Sequence, residues 1–256
     1  MHAPDPDSQE AIHGLWDELS DFDLSQFPAA IERLMAFHAG RDGIINLTWA
    51  GAVRLTSGER ALSDDLMRRW RVAASHSLLP WVPPPHRIWD RPESDPSFEL
   101  PLRGLGRFRS YSFRHEMPEA WFHTPFYRDH YGAYGIADAA FVAFPLNADC
   151  ESHFGFWASA PLSEETVSRL AYGLRGIKWF HRHLMLSHGL LIASAPLTPT
   201  ERKVLALLLT EATEKRIADQ LALAASTTHQ HVVSLFRKFG VRTRAGLISL
   251  WLNRAK

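Results

Sequence analysis

In the last sixty residues the apolar positions recur every three or four residues in four short blocks, which predicts four helices. The first opens on Thr198 and Pro199 with Glu201 three residues beyond the threonine. That is a capping box with proline at the first helical position, and Val204, Leu205 and Leu208 form the apolar stripe. The second starts at Thr213, with Glu214 in its positive first turn, and repeats Ile217, Ala218 and Leu221. Only Ala222, Leu223 and Ala224 separate it from a third helix, about Ala225 to Phe239, which Gly240 ends. A fourth begins near Thr243 and is apolar almost all round at Leu247, Ile248, Leu250, Trp251 and Leu252.

Upstream the periods are mixed. A capped helix is expected from Asp23 through Leu24, Phe27, Ile31, Leu34 and Phe37, then GIINLTWA and VRLT as two strands. A helix from about Ser63 to Leu79 follows. The Pro- and Arg-rich stretch 80–117 lacks clean periodicity and is long enough to serve as a functional loop or lid. Next come a helix around TPFYRDHYGAYG and two strands, AAFVAFPLN and SHFGFWASA, joined by a turn at Ala148 to Glu151. Ser163 then caps one long helix to about Ser187. This order predicts an α+β domain over 1–188, an antiparallel sheet flanked by helices. GLLIASAP, 189–196, is a linker to an all-α four-helix domain at 197–256.

Composition narrows the class. A chain of 256 residues, 46% hydrophobic and 22% charged, can build two cores and is not that of a disordered protein. No apolar run approaches the ~20 residues of a membrane helix, and the acidic start MHAPDPDSQE is unlike a signal peptide. The lone Cys150 can form neither an internal disulfide nor a Cys-x-x-Cys zinc site. A cytoplasmic protein with no membrane partner is expected. The net charge of zero conceals a division. Residues 197–256 carry ten Lys and Arg against four acids, a net of +6, which leaves −6 for the rest. A basic module on an acidic body is the layout of a DNA-binding domain joined to a domain with another task.

The third helix carries the candidate chemistry. At 100° per residue Thr228, Val232, Leu235 and Phe239 share one narrow wedge that must face a core. Ser226, His229, Gln230, Val233 and Arg237 fall opposite. Glutamine can pair with adenine in bidentate fashion, histidine and serine can donate or accept, valine can touch a thymine methyl, and arginine reads guanine or phosphate. Thr227, His231, Ser234 and Lys238 flank that face, where phosphates would lie. A solvated face of a helical bundle would show a similar polar side.

The whole stretch LTPTERKVLALLLTEATEKRIADQLALAASTTHQHVVSLFRKFGVRTRAGLISLW resembles the LuxR/NarL-type helix-turn-helix output domain in LTP-x-E, K-x-IA-x-x-L, T-x-x-x-H-V, KFGV and the closing Arg-Ala-x-L-Ile. The resemblance implies a transcriptional regulator that binds double-stranded DNA. Base contacts carry over to His229, Gln230 and Val233, and phosphate contacts to Lys215, Thr227 and Lys238; Ser226 and Arg237 complete the face. It also implies a homodimer through the fourth helix, by Leu247, Ile248 and Trp251, although Trp251 could instead pack within its own chain. The sequence departs from the pattern at Ala224, where a serine cap is usual, at Thr228, where valine is, and at Glu211 and Ala222, where glycines are. A lost cap costs roughly 1 kcal/mol.

The order of elements ahead of it resembles the GAF- or PAS-like sensors that precede such modules, most closely over HTPFYRDHYGAYGIADAAFVAFPL. That implies a sensor, quorum-sensing-like in its relations, with its ligand left open. Twelve of the 29 aromatics crowd into 81–134, from Trp81 and Trp89 to Tyr134. They form either a packed core or the wall of a pocket for a small-molecule effector, and the candidate contacts are Tyr111, Trp121, Phe126, Tyr127 and Tyr131. Without a ligand the domain would be a dimerisation or protein-interaction platform. No Gly-x-Ser-x-Gly elbow, Walker loop or dinucleotide fingerprint occurs, so no enzyme, cofactor or catalytic residue is expected. The histidines at 115, 123, 130, 181 and 183 are not spaced to converge on a metal.

Overall fold

The computed structural model describes residues 4–56, 58–64, 69–80 and 95–252. The chain divides into two compact units, Met1–Asp17 with Glu32–Lys178, and Glu18–Ile31 with Trp179–Lys256. The first is built on a five-stranded antiparallel sheet of order β2-β1-β5-β4-β3, with β1 Ile44–Arg54, β2 Trp70–Ser77, β3 Arg109–Ser112, β4 Asp138–Asn147 and β5 Cys150–Ala158. This is the antiparallel, helix-flanked sheet expected for the N-terminal domain.

Alternation along the central strands sorts side chains onto two faces. On β1, Leu47 and Trp49 are fully buried on one face, while Thr48, Ala50 and Ala52 point to the other. On β5, Phe154 and Phe156 go with the first face, whereas Glu151, His153, Gly155 and Trp157 go with the second. The first face meets helices. The His38 ring, at the end of α2 Phe27–His38, stands edge-on to Phe156 at 5.4 Å, and α5 Glu164–Arg175 packs on β3 and β4. The second face is roofed by the 3-10 turn Pro96–Leu102 and two short helices, α3 Phe113–Glu116 and α4 Pro125–His130.

Several expectations for this unit are corrected. A helix α1, Pro6–Ser20, precedes everything expected, with Ile12 and Leu15 buried. GIINLTWA and VRLT are one strand, because the irregularity between Gly51 and Ala52 bends β1 without ending its pairing. Of the helix expected over 63–79, residues 65–68 lie outside the described residues, and Trp70–Ser77 form the edge strand β2 instead. Ala73 and Ala74 suit a helix locally, but the open edge of β1 offers a ladder that local preference cannot match. Of the irregular 80–117 stretch, 81–94 lies outside the described residues, and the rest supplies the Pro96–Leu102 turn, β3 and α3. The single long exit helix is two, α5 and α6 Lys178–Ser187. The break comes where Trp16 packs: its indole N–H donates to the Gly173 carbonyl at 2.8 Å, and a Cβ on Gly176 would lie 2.2 Å from its ring.

The second unit contains α7 Pro199–Leu208, α8 Glu214–Leu221, α9 Ala225–Phe239 and α10 Arg244–Leu252. All four blocks are helical, and the caps are in place. Thr198 Oγ1 accepts from the Glu201 N–H at 3.2 Å, Glu201 Oε2 accepts from the Thr198 N–H at 2.8 Å, and Thr213 caps α8. Val204, Leu208, Ile217, Val232, Leu235, Phe239 and Leu247 share one core. Arg244 binds it together by donating to the carbonyls of Leu208, at the end of α7, and of Thr210 and Ala212 beyond it.

Three of the four departures from the sequence pattern carry a structural cost. Ala222 sits at φ 51, a left-handed conformation that favours glycine. Ala224 offers α9 no side-chain cap, and the buried Thr228 hydroxyl has no hydrogen-bond partner among the described residues. Ala222→Gly, Ala224→Ser and Thr228→Val are each expected to stabilise the module by about 1 kcal/mol, read as slower amide exchange in α8 and α9. Unchanged exchange in all three would mean that none of these features limits stability.

Candidate DNA-recognition face and interior cavity

In α9 the expected wedge is inward: Thr228, Val232, Leu235 and Phe239 are buried. Ser226, His229, Gln230, Val233 and Arg237 are exposed together on the opposite side, Val233 at 52%. Lys215 is exposed on the first turn of α8, and Thr227 is half-buried. Lys238 differs from the rest. Its ammonium donates to Glu201 Oε2 at 2.7 Å and to the Pro196 carbonyl at 3.0 Å, and its side chain is 16% exposed against 5% for Glu201. Ser234 donates to Glu201 Oε1 at 2.9 Å. Lys238, expected as a phosphate contact, is engaged within its own unit: the capping box leaves a buried carboxylate on α7, and Lys238 and Ser234 are the groups on α9 that satisfy it.

The expected dimerisation residues fall in two classes. Leu247 and Trp251 belong to the core of their own unit, Trp251 edge-on to Phe239 at 5.5 Å, whereas Ile248 is half-buried and the neighbouring Leu252 exposed. With only nine residues in α10, an i, i+4 pair on one side is enough to close the core.

The first unit holds a cavity of about 120 Å³ between the sheet and its roof. That is room for several waters or a benzene-sized group. Thr48, Ala50 and Ala52 of β1, Val72 of β2, Phe141 of β4 and Gly155 and Trp157 of β5 line the sheet side. Ser97, Phe98, Leu102, Leu105, Phe113 and Tyr131 line the roof. Gly155 keeps the floor open, since a Cβ there would meet Thr48 Oγ1 at 2.9 Å and Phe141 at 3.3 Å. Thr48 in turn accepts from the Trp157 indole N–H at 3.0 Å.

Of the expected ligand contacts, Tyr111 and Tyr131 reach the cavity, and burial raises both phenols so that they stay neutral donors. Trp121, Phe126 and Tyr127 stand behind them. The Trp121 indole N–H donates to Asp95 Oδ1 at 2.9 Å, the Tyr127 hydroxyl donates to the Ile136 carbonyl at 2.7 Å, and Phe126 packs on Phe98. Although α4 ends at His130, the Tyr127 and Tyr131 rings lie on the same side, 6.1 Å apart and both against Trp121. Sequence reasoning missed the ionic end of the cavity. Glu151, 1% exposed, accepts from Arg109 Nη1 at 3.0 Å and Nη2 at 2.8 Å, from the Gly106 N–H at 2.8 Å and from His153 Nε2 at 3.1 Å. Burial alone would raise this carboxyl, but His153, Arg109 and the Gly106 N–H outweigh it and hold it at about 2. The glutamate and histidine two apart on SHFGFWASA's leading edge were the available signal, hidden because their partner Arg109 is 42 residues away.

Among the described residues no helix is long and apolar enough to cross a membrane. The sequence profile of the bacterial regulatory proteins of the luxR family matches residues 195–251. Over 60 residues, 23% of the chain, it is 42% identical to the transcriptional regulatory protein MctR of Rhizobium johnstonii, and that match spans 28% of the relative's length. Among solved structures, the chain is similar to the VqsR LBD domain from Pseudomonas aeruginosa (TM-score 0.41, 12% identity, 70% of this chain and 95% of that one). It is also similar to Escherichia coli SdiA (TM-score 0.41, 11% identity, 94% of each chain). Likenesses of that strength assign no ligand. The profile and the four helices coincide in the C-terminal region, and residues 195–251 are a luxR-family helix-turn-helix domain.

Proposed function

We propose that the protein is a cytoplasmic, homodimeric transcriptional regulator that binds double-stranded DNA through the exposed face of α9 and is controlled by a small molecule held in the cavity of a GAF-like N-terminal domain. The observation that carries the DNA reading is the division of α9, with four residues spent on the core and Ser226, His229, Gln230, Val233 and Arg237 left together outside. Lys215 and Thr227 serve the phosphates. Ile248 and Leu252 supply the apolar contact to a second copy, since Leu247 and Trp251 are used internally. The effector has an apolar body, for the aromatic walls, and a hydrogen-bonding end, for Thr48, Tyr111 and Tyr131. In this reading 1–188 is the sensor and 189–196 the connection, whose Ser194 N–H donates to the Lys238 carbonyl at 2.8 Å.

Selection from random DNA by the full chain, with and without cell extract, tests both halves. One sequence should be enriched, and Gln230→Ala should change the preference at one position by about 1 to 3 kcal/mol. A compound enriched from extract should raise the melting temperature of the parent and of Tyr127→Phe, but not of Gly155→Leu, which fills the floor of the cavity. Enrichment without any compound, and a Gly155→Leu protein that regulates normally, would leave the N-terminal domain a ligand-free platform.

A further inference from the structure

Glu214 stands in the first turn of α8 and His229 in the second turn of α9, with the carboxylate Oε2 3.0 Å from the imidazole Nδ1. Both side chains are open to solvent, 45% and 66% exposed, on the side that also presents Gln230 and Val233. Pairs this exposed add little to stability, so this contact is not what holds the helices together. Its effect is on the ring. An ionised carboxylate has only lone pairs to offer, so Nδ1 must carry the proton and donate it, and in the neutral imidazole Nε2 is then an acceptor. A freely turning histidine can show either nitrogen in either role, whereas this one shows a single acceptor outward. In the major groove the donors on the bases are the amino groups of adenine and cytosine; guanine and thymine present acceptors there.

We propose that Glu214 is a positioning residue for DNA recognition: it holds His229 so that Nε2 accepts from the amino group of an adenine or a cytosine, which sets the base preference at one position of the bound sequence. The proposal rests on the reading that the exposed face of α9 enters the major groove. Gln230, one residue on, would read a neighbouring base independently, because its amide is not part of the pair.

The test is selection from random DNA at pH 8, using the full chain as parent, His229→Ala, Glu214→Ala and Glu214→Gln. At one position, read along one strand, the parent should prefer adenine or cytosine over guanine and thymine by about tenfold. His229→Ala should lose that preference and keep the others. Glu214→Ala should reduce it to about two- or threefold at that position only, and Glu214→Gln, whose amide oxygen can still accept from Nδ1–H, should retain most of it. Both Glu214 variants lose a negative charge near the DNA and should bind all sequences more tightly. The ratio between bases is therefore the readout, and a purely electrostatic role would not move it. Identical base weights for Glu214→Ala and the parent, or no position whose base weights change in His229→Ala, would overturn the proposal. A parent that selects no sequence would overturn the DNA-face reading itself.

Discussion

Replacing Lys238 by alanine is expected to destabilise the helix-turn-helix module by about 3 kcal/mol, with amide exchange in α7 and α9 roughly a hundredfold faster, and to leave the salt dependence of DNA binding as it was. The lysine ammonium is the counter-ion of Glu201, a carboxylate almost without solvent contact, and it also ties down the Pro196 carbonyl. Removing one partner of such a pair strands the other charge, which is far costlier than losing an exposed pair. A lysine already spent on a glutamate releases no counter-ion from DNA. The exposed Lys215→Ala should therefore lower the log–log salt slope by about one, while Lys238→Ala does not. The double variant Glu201→Gln with Lys238→Met should regain most of the lost stability. A Lys238→Ala protein as stable as the parent, with a shallower salt slope, would restore Lys238 to the DNA face.

The same pair sets an acid limit. Burial alone would raise the Glu201 carboxyl, but Lys238, the Thr198 N–H and Ser234 outweigh it and hold it at about 2, against 4.5 for the free side chain. Its folded value is depressed, so its contribution is complete above pH 4.5 and is lost as pH falls toward 2. In Lys238→Ala this loss over the acid range should shrink.

The second large effect is expected at the ionic end of the cavity. Glu151→Ala should cost the sheet domain about 3 to 5 kcal/mol, measured by urea denaturation, because it strands Arg109, whose side chain is only 11% exposed. Among the described residues Arg109 Nε lacks a hydrogen-bond partner, and the bonds of that guanidinium are made by its two terminal nitrogens. Glu151→Leu combined with Arg109→Met should recover most of the loss. As with Glu201, a carboxyl held at about 2 contributes fully above pH 4.5 and progressively less toward pH 2. A Glu151→Ala protein within 1 kcal/mol of the parent would mean that water reaches Arg109 and solvates it.

Lys238 and Glu151 also mark how far the sequence could be read. Lys238 lies where a phosphate contact is expected from the helical wheel, and the wheel is correct about its direction. What a wheel cannot show is that Glu201, 37 residues earlier, arrives from another helix with a carboxylate to be neutralised. Glu151 and His153 are visible as an alternating polar pair in a strand, but Arg109 reaches them only once β3, β4 and β5 are assembled.

What the sequence by itself determined is the C-terminal module and the core-facing side of its third helix. Caps, apolar repeats and terminal glycine act within three or four residues, so they are legible wherever they occur. The order of α and β elements from 124 onward was legible for the same reason. The tertiary structure decided the rest. It made a strand of the helix-like Trp70–Ser77 by offering the edge of β1, and it divided the exit helix where Trp16 lies against Gly176. It also turned two of five expected aromatic contacts toward the cavity and gave the other three partners elsewhere. In each of these cases the deciding contact joins residues far apart in the chain, and the energy of such contacts exceeds the fraction of a kcal/mol per residue by which local preference distinguishes helix from strand.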